Sequence, residues 1–218
     1  MNYLEHHRHN YAQTILASDE NSLPQAVSAL NRGCLVAFPT DTVYGLAAKY
    51  DDFQAVRRLY SVKERPLDKA IPILIGALSD INELAADFPP TARALAETFW
   101  PGALTLVVKR HERVPKVVAP STTVAMRMPA HEWLLTLLQI VGPLAVSSAN
   151  RSGKSPKLSA GPVRAALGEH IELIIDGGPA PGGKPSTVAD CSIYPPVVLR
   201  DGPVTTAALL SLALKSKA

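Results

Sequence analysis

Cysteine is scarce. The 218 residues hold two, Cys34 and Cys191, each in an apolar strand-like stretch, with no Cys-x-x-Cys spacing and no His pair nearby. That pattern argues against metal ligation through thiolates and predicts reduced core thiols. No apolar run approaches the roughly 20 residues needed to span a bilayer. The polar start, residues 1–10, also lacks the hydrophobic stretch of a secretion signal. A cytoplasmic protein without a membrane partner is expected. Charge of one sign is in short supply as well: 22 Lys and Arg against 19 Asp and Glu leave a net +3. This mild excess suits an anionic ligand and is too small to argue for nonspecific duplex binding. There is no Gly-x-Ser-x-Gly elbow for a serine nucleophile, no internal repeat and no obvious linker.

What is present is an ordinary globular balance, 47% hydrophobic and 19% charged, with enough apolar side chains for a substantial core. One domain is expected over residues 19–218, preceded by an N-terminal arm over 1–18 that carries His6, His7, Arg8 and His9 without an assigned function. Ser22 followed by Gln25, with Pro24 between, predicts a helix over 22–32 opened by a capping box and stopped by Gly33. The apolar run 34–38 predicts a buried strand. Asp51 or Asp52 can cap a second helix that ends near Lys63. Further strands are expected over 71–75, 104–108, 123–128, 144–147, 173–176, 187–191 and 197–200. Helices are expected over 79–86, 91–99, 131–141, 161–167 and 205–214. Strands and helices interleave, and some turns are too short for a crossover helix, so the sheet should be mixed.

Two segments draw attention for their chemistry. Lys63-Glu64-Arg65-Pro66-Leu67-Asp68-Lys69 places three cations in seven residues. Pro66 disfavours the α region at Arg65, so Arg65 and Lys69 should lie on a loop suited to a polyphosphate. The polar stretch 148–159, with Ser148, Asn150, Ser152, Lys154, Ser155 and Lys157, is long for an unstructured connection and reads as a ligand clamp at a strand exit. Arg127 sits in an otherwise apolar strand and needs a partner, either a structural carboxylate or a ligand carboxylate held in its planar fork. Arg200 presents the same choice. Gly178 to Lys184 match the first seven positions of a phosphate-binding P-loop, but Pro185 stands where a Ser or Thr hydroxyl is required, so that reading fails.

Eight pieces in order, over about residues 22–206, carry a resemblance. They are Pro39-Thr40-Asp41-Thr42-Val43-Tyr44-Gly45-Leu46, Lys63-Glu64-Arg65-Pro66, Phe99-Trp100-Pro101-Gly102 with Leu104-Thr105, Arg127-Met128-Pro129, Ser148-Ala149-Asn150, Asp176-Gly177-Gly178, Ser186-Thr187-Val188 and Leu199-Arg200-Asp201-Gly202. The chain resembles the YrdC-like family of threonylcarbamoyl-AMP synthases, which supply the first step of threonylcarbamoyl-adenosine modification of tRNA. The resemblance implies an α/β fold, an open twisted mixed sheet with flanking helices around a large basic cavity. It also implies a reaction of L-threonine, bicarbonate and ATP, with Mg2+ accompanying the nucleotide and no metal held by the protein itself. The product would pass to a downstream transferase acting on tRNA, with possible direct tRNA contact.

By motif position, the resemblance implies catalytic roles for Lys63 and Arg65. It implies ATP contacts from Arg65, Lys69, Thr123, Ser148, Asn150, Ser186 and Arg200, and threonine contacts from Thr40, Thr42, Arg127 and Ser186. Asp41 replaces the more usual Glu of the first motif, Asp201 stands where Pro commonly follows the last arginine, and Leu74 occupies a place where many members have a His near the threonine. The competing function is a noncatalytic tRNA- or double-stranded-RNA-binding protein using the same basic cavity. Against it, aromatics make up 6% of the chain and no motif supplies a stacking platform.

Overall fold

The computed structural model describes residues 11–215. The chain opens with β1 (Gln13–Leu16), α1 (Ser22–Asn31), β2 (Val36–Phe38) and β3 (Gly45–Lys49). Next is α2 (Phe53–Val62), capped by Asp52, whose side chain accepts from the Ala55 amide at 3.0 Å. After the basic loop come β4 (Ile73–Leu74), a 3-10 turn (Leu78–Asp80), α3 (Ile81–Leu84), β5 (Ala85–Asp87), α4 (Pro90–Phe99) and β6 (Leu104–Arg110). The second half holds β7 (Thr123–Arg127), α5 (Glu132–Val141), β8 (Leu144–Ser148), α6 (Ala160–Leu167), β9 (Leu173–Asp176), β10 (Thr187–Asp190), β11 (Val197–Arg200) and α7 (Thr206–Lys215).

All the strands join one sheet in the order β1-β9-β2-β3-β8-β4-β7-β6-β10-β11, with β5 pairing β6 beside that path. The sheet is mixed, as the short connections predict: β4 runs parallel to β7 and antiparallel to β8. Side chains alternate along each strand, and the alternation sorts them into two cores. Ala37, Leu46, Ile73, Ala145 and Met126 face one side, where α2, α4, α6 and α7 cover them. Val36, Phe38, Ala47, Leu74, Leu144 and Val146 face the other, against α1 and α5.

That second cover stops at Leu74 and Val146. Beyond it, the residues that alternate with buried Leu104, Leu106, Val124, Met126 and Ala189 are Thr105, Ala125, Arg127 and Val188, and these line a hollow instead of a helix interface. The site is therefore the part of one sheet face that no helix occupies.

Several local expectations change. Of the arm expected over 1–18, residues 1–10 and their histidines lie outside the described residues, and Gln13–Leu16 pair in parallel with β9 as an edge strand. The capping box at Ser22 does not form: Asn21 is the N-cap without a side-chain bond, while the Ser22 hydroxyl donates to the Ala17 carbonyl and accepts from the Trp133 indole, both at 3.0 Å. Strand β3 carries no local signal, because Gly45-Leu46-Ala47-Ala48 is poor in β-branched and aromatic residues. Its place in the sheet comes from pairing with β2 and β8. The helix expected over 79–86 splits into the 3-10 turn, α3 and β5.

Candidate active site

The turn after β2 is built on threonine hydroxyls. Thr40 Oγ1 donates to the Val43 carbonyl at 2.7 Å and accepts the Thr42 and Val43 amides at 3.0 and 3.2 Å. These local bonds replace a backbone ladder and aim Thr42 at β7. There Arg127 is buried, 6% exposed. Its Nη1 donates to Thr42 Oγ1 at 3.0 Å, its Nη2 to Asp41 Oδ1 at 2.5 Å and its Nε to the Gly102 carbonyl at 2.8 Å. Burial pushes the Arg127 pKa down, opposed by the Asp41 carboxylate. Of the two partners the sequence allowed, the structure provides the structural carboxylate.

A second loop braces this turn from outside. At Gly182 an added Cβ would fall 2.6 Å from the Asp41 carbonyl and 2.8 Å from Thr42 Cα, so only glycine permits the approach. The Tyr44 hydroxyl donates to the Gly178 carbonyl at 2.8 Å, and burial raises its pKa to about 12. The 148–159 stretch is tied into the same frame, since the Tyr44 amide donates to the Lys157 carbonyl at 2.9 Å and the Ala180 amide to the Leu158 carbonyl at 2.7 Å.

The basic loop leaves α2 at Lys63. Glu64 takes φ 50°, a left-handed conformation uncommon outside glycine. Arg65 then folds back, its Nε donating to the Lys69 carbonyl at 3.1 Å and its Nη2 to the Ala70 carbonyl at 2.8 Å. Those bonds hold the guanidinium at the hollow. Burial lowers its pKa, countered by Tyr60 and Asp68.

The far wall comes from β6, β10 and β11. Ser186 and Thr105 share a hydroxyl hydrogen bond of 2.8 Å, and Arg200 donates through Nε and Nη2 to the Ser186 carbonyl at 3.0 and 2.7 Å. Burial lowers the Arg200 pKa first, and the charges of Arg127 and Arg65 lower it further. Arg200 thus feels the other two guanidinium groups across one space.

That space is a cavity of about 320 Å³, at the small end for ligand pockets. It brings together Thr40, Thr42, Arg65, Arg127, Ser148, Ser186 and Arg200 from the expected set. Lys63, Lys69, Thr123 and Asn150 do not line it: Lys69 is exposed, Thr123 bonds Ser121, and Asn150 donates to the Arg151 and Lys154 carbonyls. The large basic cavity implied by the resemblance thus narrows to three arginines in a hollow with an apolar side of Leu74, Ala125, Val146 and Val188. The sequence reading assigned no role to Thr105. Its signal is a hydroxyl alternating with Leu104 and Leu106 just after Trp100-Pro101-Gly102.

Among the described residues, no carboxylate, histidine or lysine lines the hollow. Three guanidinium groups and several hydroxyls suit a ligand with multiple anionic oxygens, so fold and site together define an α/β protein with a polyanion-binding hollow on an open sheet face. Residues 28–202 match the Sua5/YciO/YrdC family, described as telomere recombination. A threonylcarbamoyl-AMP synthase of Pyrococcus abyssi is 46% identical over 179 residues, covering 81% of this chain and 53% of that protein. A relative from Mycobacterium tuberculosis is 43% identical over 190 residues, 83% of this chain and 84% of its own length. The crystal structure of P. abyssi Sua5 complexed with L-threonine superposes with a TM-score of 0.86 at 42% identity, over 89% of this chain and 58% of that one. The chain spans about half the length of the P. abyssi protein. It belongs to the Sua5/YciO/YrdC family.

Proposed function

We propose that this protein is a threonylcarbamoyl-AMP synthase, converting L-threonine, bicarbonate and ATP into L-threonylcarbamoyladenylate and pyrophosphate. One observation carries the reading: Arg65, Arg127 and Arg200 converge with the hydroxyls of Thr42, Thr105, Ser148 and Ser186 on one hollow that, among the described residues, no carboxylate lines. The names of the P. abyssi relative and of its threonine complex support it.

In this reading the threonine lies by β7, its carboxylate against Arg127 and Thr42 and its side chain against Leu74 and Val146. The nucleotide lies towards Arg65, Ser148, Ser186 and Arg200. The threonine ammonium gives one proton to bicarbonate, which breaks into CO2 and water; the freed amine nitrogen then bonds to the CO2 carbon and releases its second proton to solvent. The resulting carbamate oxygen attacks the α-phosphorus, and the bond to pyrophosphate breaks. No protein nucleophile is needed. The residues position two substrates and neutralise charge growing on phosphate oxygens, the two contributions such a step most requires. Mg2+ is assigned to the nucleotide phosphates as part of the substrate.

The adenylate would pass to a transferase acting on tRNA, in the cytoplasm. No helix among the described residues is long and apolar enough to cross a membrane. Incubation with ATP, labelled bicarbonate and each candidate amino acid tests the reading: labelled adenylate and pyrophosphate are expected with threonine. Absence of adenylate with every amino acid overturns it.

A further inference from the structure

Lys63 is among the largest fully buried side chains, 1% exposed, and it does not line the hollow. Its Nζ donates instead to the carbonyls of Ser148 and Asn150. Its own carbonyl accepts the Ser152 amide at 2.7 Å. One residue at the end of α2 thus bonds three points along the end of β8 and the turn that leaves it. From the other side, the Ala149 amide donates to the Tyr44 carbonyl at 2.7 Å. Glu64, next in the chain, pairs with Arg151 of the same turn. Ser148, the member of this turn that reaches the hollow, is clamped between these anchors.

The amine has no carboxylate partner among the described ion pairs. A buried ammonium without a counter-ion is costly, and burial, with Arg65 nearby, lowers its pKa to about 7. Even a neutral amine keeps two N–H donors, matching two carbonyls. The bracket therefore depends on hydrogen-bond donors more than on charge, whereas a phosphate contact would depend on charge.

From this geometry we infer that Lys63 is a positioning residue: it fixes the Ser148–Ser152 turn through main-chain carbonyls and acts on the reaction through Ser148, without touching the phosphates. The link to catalysis rests on the proposed synthase activity; the bracket itself does not.

The test is Lys63→Met, which keeps an unbranched chain in the buried position and deletes both donors. Hydrogen exchange is expected to run about tenfold faster at the amides of residues 149–154 while β3 and central β8 keep their protection. In a cycle with Ser148→Ala, the double variant is expected to lose no more turnover than Lys63→Met alone, because both changes remove one function. Unchanged exchange, or losses that multiply, would overturn the inference. Should Lys63→Met fail to fold, the wild-type protein soaked with a non-hydrolysable ATP analogue decides. Nζ is expected to stay on the two carbonyls and farther than about 4 Å from every phosphate oxygen, and an Nζ swung onto a phosphate refutes positioning. A wild-type protein that forms no adenylate defeats the synthase reading alone, since exchange still judges the bracket.

Discussion

Arg127 and Asp41 form an ion pair of 2.5 Å between β7 and the turn after β2, with side chains only 7% and 14% exposed. Eighty-six positions separate them in sequence. The pair fixes one end of the guanidinium, and Thr42 and Gly102 fix the rest. A carboxylate ligand therefore meets a fork already oriented, at the expense of sharing it with Asp41.

Removing one partner of such a pair leaves the other buried and uncompensated. Arg127→Ala is expected to lower unfolding free energy by about 3–5 kcal/mol in denaturant titration. Arg127→Lys keeps a charge and loses the fork, so the KM for threonine should rise about 10–100-fold while the KM for ATP changes little. Equal changes in both constants would count against a carboxylate clamp.

Arg65 is held at the hollow by the carbonyls of Lys69 and Ala70, so in the proposed reaction its charge would be in place before attack on the α-phosphorus. Arg65→Ala should reduce kcat for pyrophosphate release about 10²–10³-fold, the scale of one lost oxyanion donor. Unchanged turnover would remove Arg65 from the mechanism.

Leu74 pairs directly with Arg127 across β4 and β7, which sets an apolar surface beside the fork. One methyl group on that surface is worth about 0.8 kcal/mol, so kcat/KM for threonine should exceed that for serine about fourfold. Leu74→Ala should narrow that ratio. Because Leu74 is 4% exposed, the variant should also lose about 2–5 kcal/mol of stability. A ratio that does not move with Leu74 would place the threonine methyl elsewhere.

Lys63 sets the sign of a pH effect. Its folded pKa is about 7 against 10.5 for the free side chain. Between those values the unfolded chain binds a proton that the folded chain does not, so Lys63 makes stability rise with pH across that window. Below about pH 7 the burial penalty is present in full. Chemical denaturation of wild type and Lys63→Met over pH 6–10 should show the wild type gaining stability relative to the variant as pH rises, and a constant difference would mean the amine keeps its ordinary pKa.

Much of the fold is legible locally. Asp52 caps α2, and Gly33, at φ +76°, ends the first helical segment, because capping and left-handed turns depend on a few adjacent residues. Ser22 shows the limit of such rules. Its hydroxyl could close a capping box, yet Trp133 from α5 and the Ala17 carbonyl claim it. In β3, pairing on both sides outweighs weak strand propensity. For the site, the Thr-rich turn, Arg65, Arg127, Ser186 and Arg200 were all marked by residue type and motif, and they meet in the hollow.

The cations of the basic loop separate the two kinds of information. Sequence placed Lys63 at the end of a helix and Arg65 and Lys69 on the loop after it, since Pro66 limits the backbone there whatever surrounds it. It could not say which would point where. Tertiary packing sends Arg65 to the hollow, leaves Lys69 in solvent and buries Lys63 against carbonyls more than eighty positions away. Side-chain direction there follows from partners brought together by long-range strand pairing, and no local periodicity encodes those partners. The hollow has the same origin, for it exists where α1 and α5 end their cover of the sheet, a boundary drawn by packing and by no single segment of the chain.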